Sequence, residues 1–207
     1  MRDDLILPDS MNAGKALPDL LPFELNASQR ILVYGQATLT RALEACYLEK
    51  IRVVILKQLQ VPVLEDCNAM EVSAGQEVLQ RMVLLQGTLT MRNYVYASSV
   101  IILHRLRAGV QARILEGSTP LGEILADSRV ETAREMLSCG EEKAGHLRPL
   151  LGLDPDATLI SRTYQMIVGG RPAILVEEKF PKTLFSEDDL LESETDRSKA
   201  VNAAGAV

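Results

Sequence analysis

Five runs rich in Val, Ile and Leu punctuate this chain, and four of them are arranged as two hairpins. That pairing restricts the fold more than any other feature. Residues 78–85 and 94–103 are separated by Gln86-Gly87-Thr88 and polar neighbours, the pattern of a long hairpin. Residues 159–168 and 173–180 are separated by Gly169-Gly170-Arg171, with Pro172 just beyond; paired glycines supply the positive φ a tight turn needs. Residues 51–59 form the fifth run. Helical spacing lies between these strands. In 36–47, Leu39, Ala42, Leu43, Cys46 and Tyr47 make one continuous stripe, with Thr38 placed to cap it. Thr119-Pro120 opens a second helix through Leu121, Ile124 and Leu125. The capping-box spacing of Ser128 and Glu131 predicts a further helix to Gly140. Strand runs with segregated helices predict an α+β fold with an antiparallel β-sheet and flanking helices.

The sequence divides into residues 1–20 as an N-terminal arm, 21–181 as a single domain, and 182–207 as a tail. The tail carries six acidic and three basic residues and reads as mobile and disordered. The net charge of −6 argues against nucleic acid as the main partner. No apolar run approaches the roughly 20 residues of a membrane span. Acids and Pro8 stand where a signal peptide would have its apolar stretch, so a cytoplasmic location is expected. Three widely spaced cysteines with no CxxC pair, and two histidines without ligand spacing, point away from disulfide scaffolds, structural zinc and Ser-His-Asp chemistry. Nucleotide-binding glycine fingerprints are absent from the sequence as well. Any catalysis is left to carboxylates and guanidiniums.

Two charges stand out by strand parity. Arg81 shares its face with Leu79, Val83 and Leu85, and Glu177 shares its face with Ala173 and Leu175. A charge on an apolar face is either at a wet strand end or buried with a partner. One reading is therefore an Arg–Glu pair, or plain strand-end exposure. The other is a pocket for a small anion, in which Arg81 grips a carboxylate and Glu177 handles a proton or hydroxyl. The first-turn amides near Leu39 and Leu121 add donors suited to an anion. Arg92, Arg162 and Arg171 read as solvated, and Glu178, alternating with Glu177, as exposed.

Gly117-Ser118-Thr119-Pro120-Leu121-Gly122-Glu123-Ile124-Leu125 resembles the Gly-x-Thr-Pro-Leu-Gly-x-x-Leu segment of the chorismate pyruvate-lyase (4-hydroxybenzoate synthase) family. Leu79-Gln80-Arg81-Met82-Val83-Leu84-Leu85 resembles the strand around that family's substrate-binding Arg. Gly170-Arg171-Pro172, Glu177 and Pro181 resemble its final hairpin, and Thr38-Leu39-Thr40 is similar to its Met-Thr helix start. The resemblance spans residues 39–181; a longer segment between Arg81 and Ala97, Leu39 in place of Met, and both tails mark a divergent branch. It implies the family's chorismate lyase-like fold with an enclosed site. It also implies a cofactor-independent carbon–oxygen lyase that eliminates pyruvate from chorismate to give 4-hydroxybenzoate, feeding quinone biosynthesis. Arg81 would bind the ring carboxylate with the amides of Leu39 and Leu121, and Glu177 would face the ring hydroxyl and the ether, as an acid or as an orienting group. No metal or redox cofactor is implied. The alternative is a non-catalytic, effector-sensing module of the same fold that binds small aromatic acids; relatives of that kind carry a winged helix ahead of the domain, and no basic recognition helix is legible here.

Overall fold

A computed structural model describes residues 24–34 and 38–204. The expected arm at 1–20 lies outside the described residues, as does Gln36 at the expected start of the first helix. Six strands form one sheet: β1 (Ile51–Pro62), β2 (Glu77–Gly87), β3 (Asn93–Ile101), β4 (Thr132–Lys143), β5 (Thr158–Val168) and β6 (Arg171–Pro181). Their order is β1-β2-β3-β6-β5-β4, and every neighbouring pair is antiparallel. Each half is thus a three-stranded meander, and the halves meet where β3 pairs with β6. The two hairpins legible in the sequence are β2–β3 and β5–β6, the second turning on Gly169 and Gly170 at φ 58° and 80°.

The helices are α1 (Ala27–Tyr34), α2 (Leu39–Tyr47), α3 (Ala108–Glu116), α4 (Leu121–Asp127), α5 (Arg148–Leu151) and α6 (Glu187–Ala204). One face of the sheet is covered twice. Leu32, Leu43 and Tyr47 of α1 and α2 pack with Leu85, Val95, Ile160 and Phe180 at one end. Val110, Ile114, Ile124 and Leu125 of α3 and α4 pack with Leu79, Ile101, Met166 and Val176 at the other. The space between these two apolar clusters is where a ligand can enter a sheet that is otherwise sealed. The opposite face is closed by Met70 and Val72 at one end and by Leu147 and Leu151 at the other. No helix among the described residues is long and apolar enough to cross a membrane.

Two sequence expectations are corrected here. The helix expected over 128–140 is the edge strand β4, paired with β5 from Thr132↔Val168 to Lys143↔Thr158. Arg129 turns the chain out of α4 at φ 49°, and ladder pairing overrides the helical propensity of Ala-Arg-Glu-Met-Leu. The tail expected to be disordered contains α6, and its approach is anchored in the core. Leu184 and Phe185 are buried, Ser186 Oγ accepts from the Asp189 N–H, and Asp189 is itself buried. Asp189 accepts from the Tyr47 hydroxyl and from Phe185 N–H, and pairs with Arg92, whose guanidinium lies 5.1 Å from the Tyr94 ring centre. Arg92, expected to be solvated, is therefore half-buried in this anchor. An acidic run looks solvated in sequence, but one of its carboxylates has a half-buried Arg and a buried Tyr to meet.

The β2–β3 turn rests on a second buried carboxylate. Glu49 accepts from Leu89 N–H, Thr90 N–H, the Thr90 hydroxyl and the Tyr94 hydroxyl, and a Cβ on Gly87 would lie 2.3 Å from it. Burial pushes the Glu49 carboxyl up, but the Thr90 and Tyr94 hydroxyls and the two amides outweigh it and hold it below its ordinary value of 4.5. A depressed folded value stabilises the fold above the ordinary carboxylate range and loses that stabilisation as pH falls through the folded value. Glu49→Gln is expected to cost about 2–3 kcal/mol near neutral pH, as hydrogen bonds to a charged acceptor do. The gap in melting temperature between variant and wild type should narrow as the pH is taken below 4.5; a gap independent of pH would contradict this account.

Candidate functional site

Parity decides which side chains meet. Residues directly opposite in antiparallel strands share a face. Arg81 of β2 stands opposite Ser99 of β3, Ser99 opposite Val176 of β6, and Val176 opposite Tyr164 of β5. Two residues along, the row is Val83, Ala97, Glu178 and Arg162. All of these lie on the face covered by α1 to α4. A cavity there, between the two apolar clusters, is lined by Val53, Arg81, Val83, Ala97, Ser99, Tyr164, Met166, Arg134 and Glu178. The N-terminal turns of α2 (Leu39, Thr40) and α4 (Leu121, Gly122) complete the lining.

Arg81 is 2% exposed. One of its terminal nitrogens donates to the carbonyls of Gly117 at 2.7 Å and Thr119 at 3.2 Å. Its buried Nε has no partner, and among the described residues no carboxylate pairs with it. Burial pulls its guanidinium below the ordinary value. Gly117 makes the arrangement possible: it ends α3 at φ 83°, and a Cβ there would lie 2.4 Å from Ile55 Cδ1. A guanidinium taken out of water with only carbonyls to meet is costly, and an anion bound in the cavity would offset that cost.

The first-turn amides of Leu39 and Leu121 have no acceptor within their own helices. Neither helix start carries a side-chain cap; the cap of α4 is Pro120 rather than the expected Thr119. The two starts are pressed together. A Cβ on Gly122 would lie 2.6 Å from Thr38 Cγ2, so glycine at this position lets both helix ends reach the cavity at once.

The cavity thus brings together Arg81, Leu39 and Leu121 as the sequence predicts, but not Glu177. Glu177 stands opposite Ser98 and Thr163, on the other face of the sheet. It lies 3.6 Å from Lys179, which pairs with Glu142 at 2.8 Å. The carboxylate in the cavity belongs to Glu178, which is 7% exposed rather than solvated. The cause is a one-residue irregularity in the β5–β6 hairpin: Ile167 pairs with Pro172, but Met166 pairs with Ile174. Ala173 is the extra residue, and a bulge of this kind shifts the parity of everything after it.

Glu178 is held on both sides. Its Oε2 accepts from Arg162 Nε at 2.7 Å and lies 2.6 Å from Nη2 of the same residue. Its Oε1 accepts from the Tyr164 hydroxyl at 3.1 Å. Arg162, expected at the surface, is fully buried and donates onward to the Leu32 carbonyl of α1. Burial first, and the Glu178 charge second, push the Tyr164 phenol well above its ordinary value, so it keeps its proton and acts as donor. Arg162 and Tyr164, which hold Glu178, are not among the residues the sequence assigns to the site. The available signal was their alternation on a strand adjacent to the glutamate pair, and it is readable only once the bulge is known.

A six-stranded antiparallel sheet of paired meanders, with a cavity under the helices of one face, defines the chorismate lyase-like class of folds. The same architecture is found in PhnF from Mycobacterium smegmatis (TM-score 0.56, 12% identity, 71% of this chain and 64% of that one) and in the effector domain of PhnF (TM-score 0.55, 14% identity, 71% and 89%), a likeness of fold alone. A chorismate pyruvate-lyase of Mycobacterium tuberculosis is 33% identical over 190 residues, covering 87% of this chain and 92% of its own, and one of Mycobacterium leprae is 31% identical over 186 residues, covering 86% and 85%. The family model described as chorismate pyruvate-lyase Rv2949c-like matches residues 33–187, and the chain belongs to this family.

Proposed function

We propose that this protein eliminates pyruvate from chorismate to give 4-hydroxybenzoate. The observation that carries the reading is Arg81, a buried guanidinium with no carboxylate partner among the described residues, facing a cavity beside two helix-start amides. Chorismate is a cyclohexadiene bearing a ring carboxylate, a hydroxyl and an enolpyruvyl ether. In the reaction the ether bond to the ring breaks, the ring carbon bearing the hydroxyl loses its proton, and the ring becomes aromatic. The departing enolpyruvate takes up a proton and becomes pyruvate. Aromatisation supplies the driving force, so the protein's task is to fix the pose and stabilise the leaving anion. Arg81 and the amides of Leu39 and Leu121 hold the ring carboxylate.

Glu178 takes the place expected for Glu177. It lies two strands and two residues from Arg81, about 12 Å between Cα atoms by strand geometry, a span that two inward-pointing side chains reduce to the length of a substituted ring. Both of its oxygens already accept hydrogen bonds. This favours a role in which Glu178 accepts from the ring hydroxyl and orients it, over one in which it donates a proton.

The test is direct. Pure protein mixed with chorismate should release pyruvate and 4-hydroxybenzoate in equal amounts. Tight 4-hydroxybenzoate binding with neither product formed would instead favour a sensing module of the same fold. Gly122→Ala is expected to lower kcat/KM by about 10–100-fold, because the added methyl pushes the two helix starts apart and an ångström-scale misplacement costs that much. Steady-state rates beside a melting curve check it; unchanged rates would show that the Thr38–Gly122 contact does not position the site.

A further inference from the structure

We propose that Arg134 receives the second carboxylate of the substrate, the one on the enolpyruvyl side chain; the proposal rests on the chorismate reading above. Chorismate is a dianion, whereas 4-hydroxybenzoate carries a single carboxylate. A site that holds the substrate before the ether breaks therefore needs cationic groups in two places. The cavity lining supplies them. Arg81 enters from β2, near one edge of the sheet, and Arg134 from β4, the opposite edge strand. Between them is one carboxylate, Glu178, already engaged by the third guanidinium, Arg162.

The chemistry of the ring places the side chain on the Arg134 side. With the ring carboxylate on Arg81 and the hydroxyl on Glu178, the ether sits on the ring carbon next to the hydroxyl, so the enolpyruvyl group leaves the ring beside Glu178. Beyond Glu178 in sheet order come Tyr164 on β5 and then Arg134 on β4. The Arg134 guanidinium lies 4.4 Å from the centre of the Tyr164 ring, a cation–π contact that fixes over an aromatic surface a planar fork whose shape matches a carboxylate. Tyr164 in turn donates to Glu178, so the group that orients the hydroxyl and the group assigned to the leaving carboxylate are braced on one phenol. Arg134 and Met166 also line a second depression, between α4 and β4, with Leu125 and Thr132. This places Arg134 where the leaving pyruvate can pass from the cavity to the surface without crossing the Arg81 end.

The assignment makes Arg134 specific for the substrate and indifferent to the aromatic product, a split that a general packing role does not produce. Arg134→Gln is expected to raise the KM for chorismate at least tenfold while leaving the inhibition constant of 4-hydroxybenzoate within twofold of wild type. Arg134→Lys, which keeps the charge, should recover most of the loss. Arg81→Met should weaken both ligands together. Equal weakening of both ligands by Arg134→Gln, or no change in either, would overturn the proposal. Should wild-type protein release no pyruvate, the chorismate reading fails on that result alone. The Arg134 assignment is then read from calorimetric affinities for chorismate and 4-hydroxybenzoate: a loss confined to the dicarboxylate upholds it, and its absence overturns it.

Discussion

Arg81→Met is expected to lower kcat/KM for chorismate on the order of a thousandfold and to weaken 4-hydroxybenzoate binding by a comparable factor. The magnitude follows from truncating one partner of a desolvated, hydrogen-bonded charge pair, about 2–5 kcal/mol, at roughly 1.4 kcal/mol per tenfold. The same variant should hardly change the ligand-free protein. Arg81 is buried with two carbonyls as its partners and an unsatisfied Nε. Met fills similar volume without charge. Losing the two bonds to Gly117 and Thr119 costs roughly what relief of the uncompensated charge returns, so the unfolding free energy should stay within about 1 kcal/mol of wild type. A structural arginine behaves in the opposite way, with a large loss of stability that drags activity down with it. Chemical denaturation and steady-state kinetics on the one variant separate the two cases. Activity within a few-fold of wild type would remove Arg81 from the anion site.

Arg81 was legible because β2 alternates cleanly up to it: Leu79, Arg81, Val83 and Leu85 are spaced by two with no irregularity among them, and the last three line the cavity. The β2–β3 and β5–β6 hairpins were legible for the same reason, together with their glycines. The glutamate was not. Both faces of β6 are buried from Pro172 to Pro181, so no polar face exists against which to count parity. Two consecutive glutamates offer both choices. Counting outward from Gly169-Gly170 pairs Val168 with Arg171 and, without interruption, would set Arg162 against Glu177. The extra residue at Ala173 sets Arg162 against Glu178 instead. A bulge beside a Pro, which has no N–H to give the ladder, is a backbone event with little compositional trace. Edge strand β4 was misread for a related reason: Gly140 is the one buried residue in it, and helix-forming residues on a sheet edge carry no apolar alternation. The short helices α1 and α3 were not anticipated; at 8 and 9 residues they depend on docking to the sheet rather than on their own propensity. The anchoring of α6 was hidden in its charges, since Asp189 is one acid in a run of three and only the folded chain brings Arg92 and Tyr47 to it.

The two adjacent glutamates give the sharpest test of the site. Glu178→Asp is expected to lower kcat by about a hundredfold or more, whereas Glu177→Gln should leave it within about threefold. Asp keeps the negative charge that Arg162 requires, so the variant folds, but it draws the carboxylate back by one methylene. A shift of that order in a group that orients a reacting hydroxyl is enough for the predicted loss. Glu178→Gln is the less informative change. It leaves the fully buried Arg162 without its counter-charge, a defect worth about 3–5 kcal/mol of stability, and slow turnover would then be confounded with partial unfolding. Glu177 offers the control on the same strand, one residue away and on the other side of the sheet. There its loss disturbs the contact with Lys179, while Lys179 keeps Glu142. Stability falls modestly and the cavity is untouched. The opposite result, Glu177→Gln inactive and Glu178→Asp near normal, would mean that β6 meets β5 without the bulge in the working protein. The row that places Glu178, Arg162 and Tyr164 together would then be one residue out of register. Measuring both variants for kcat and melting temperature under the same conditions decides between the two registers, because the bulge at Ala173 exchanges the glutamates while leaving Arg81 where it is.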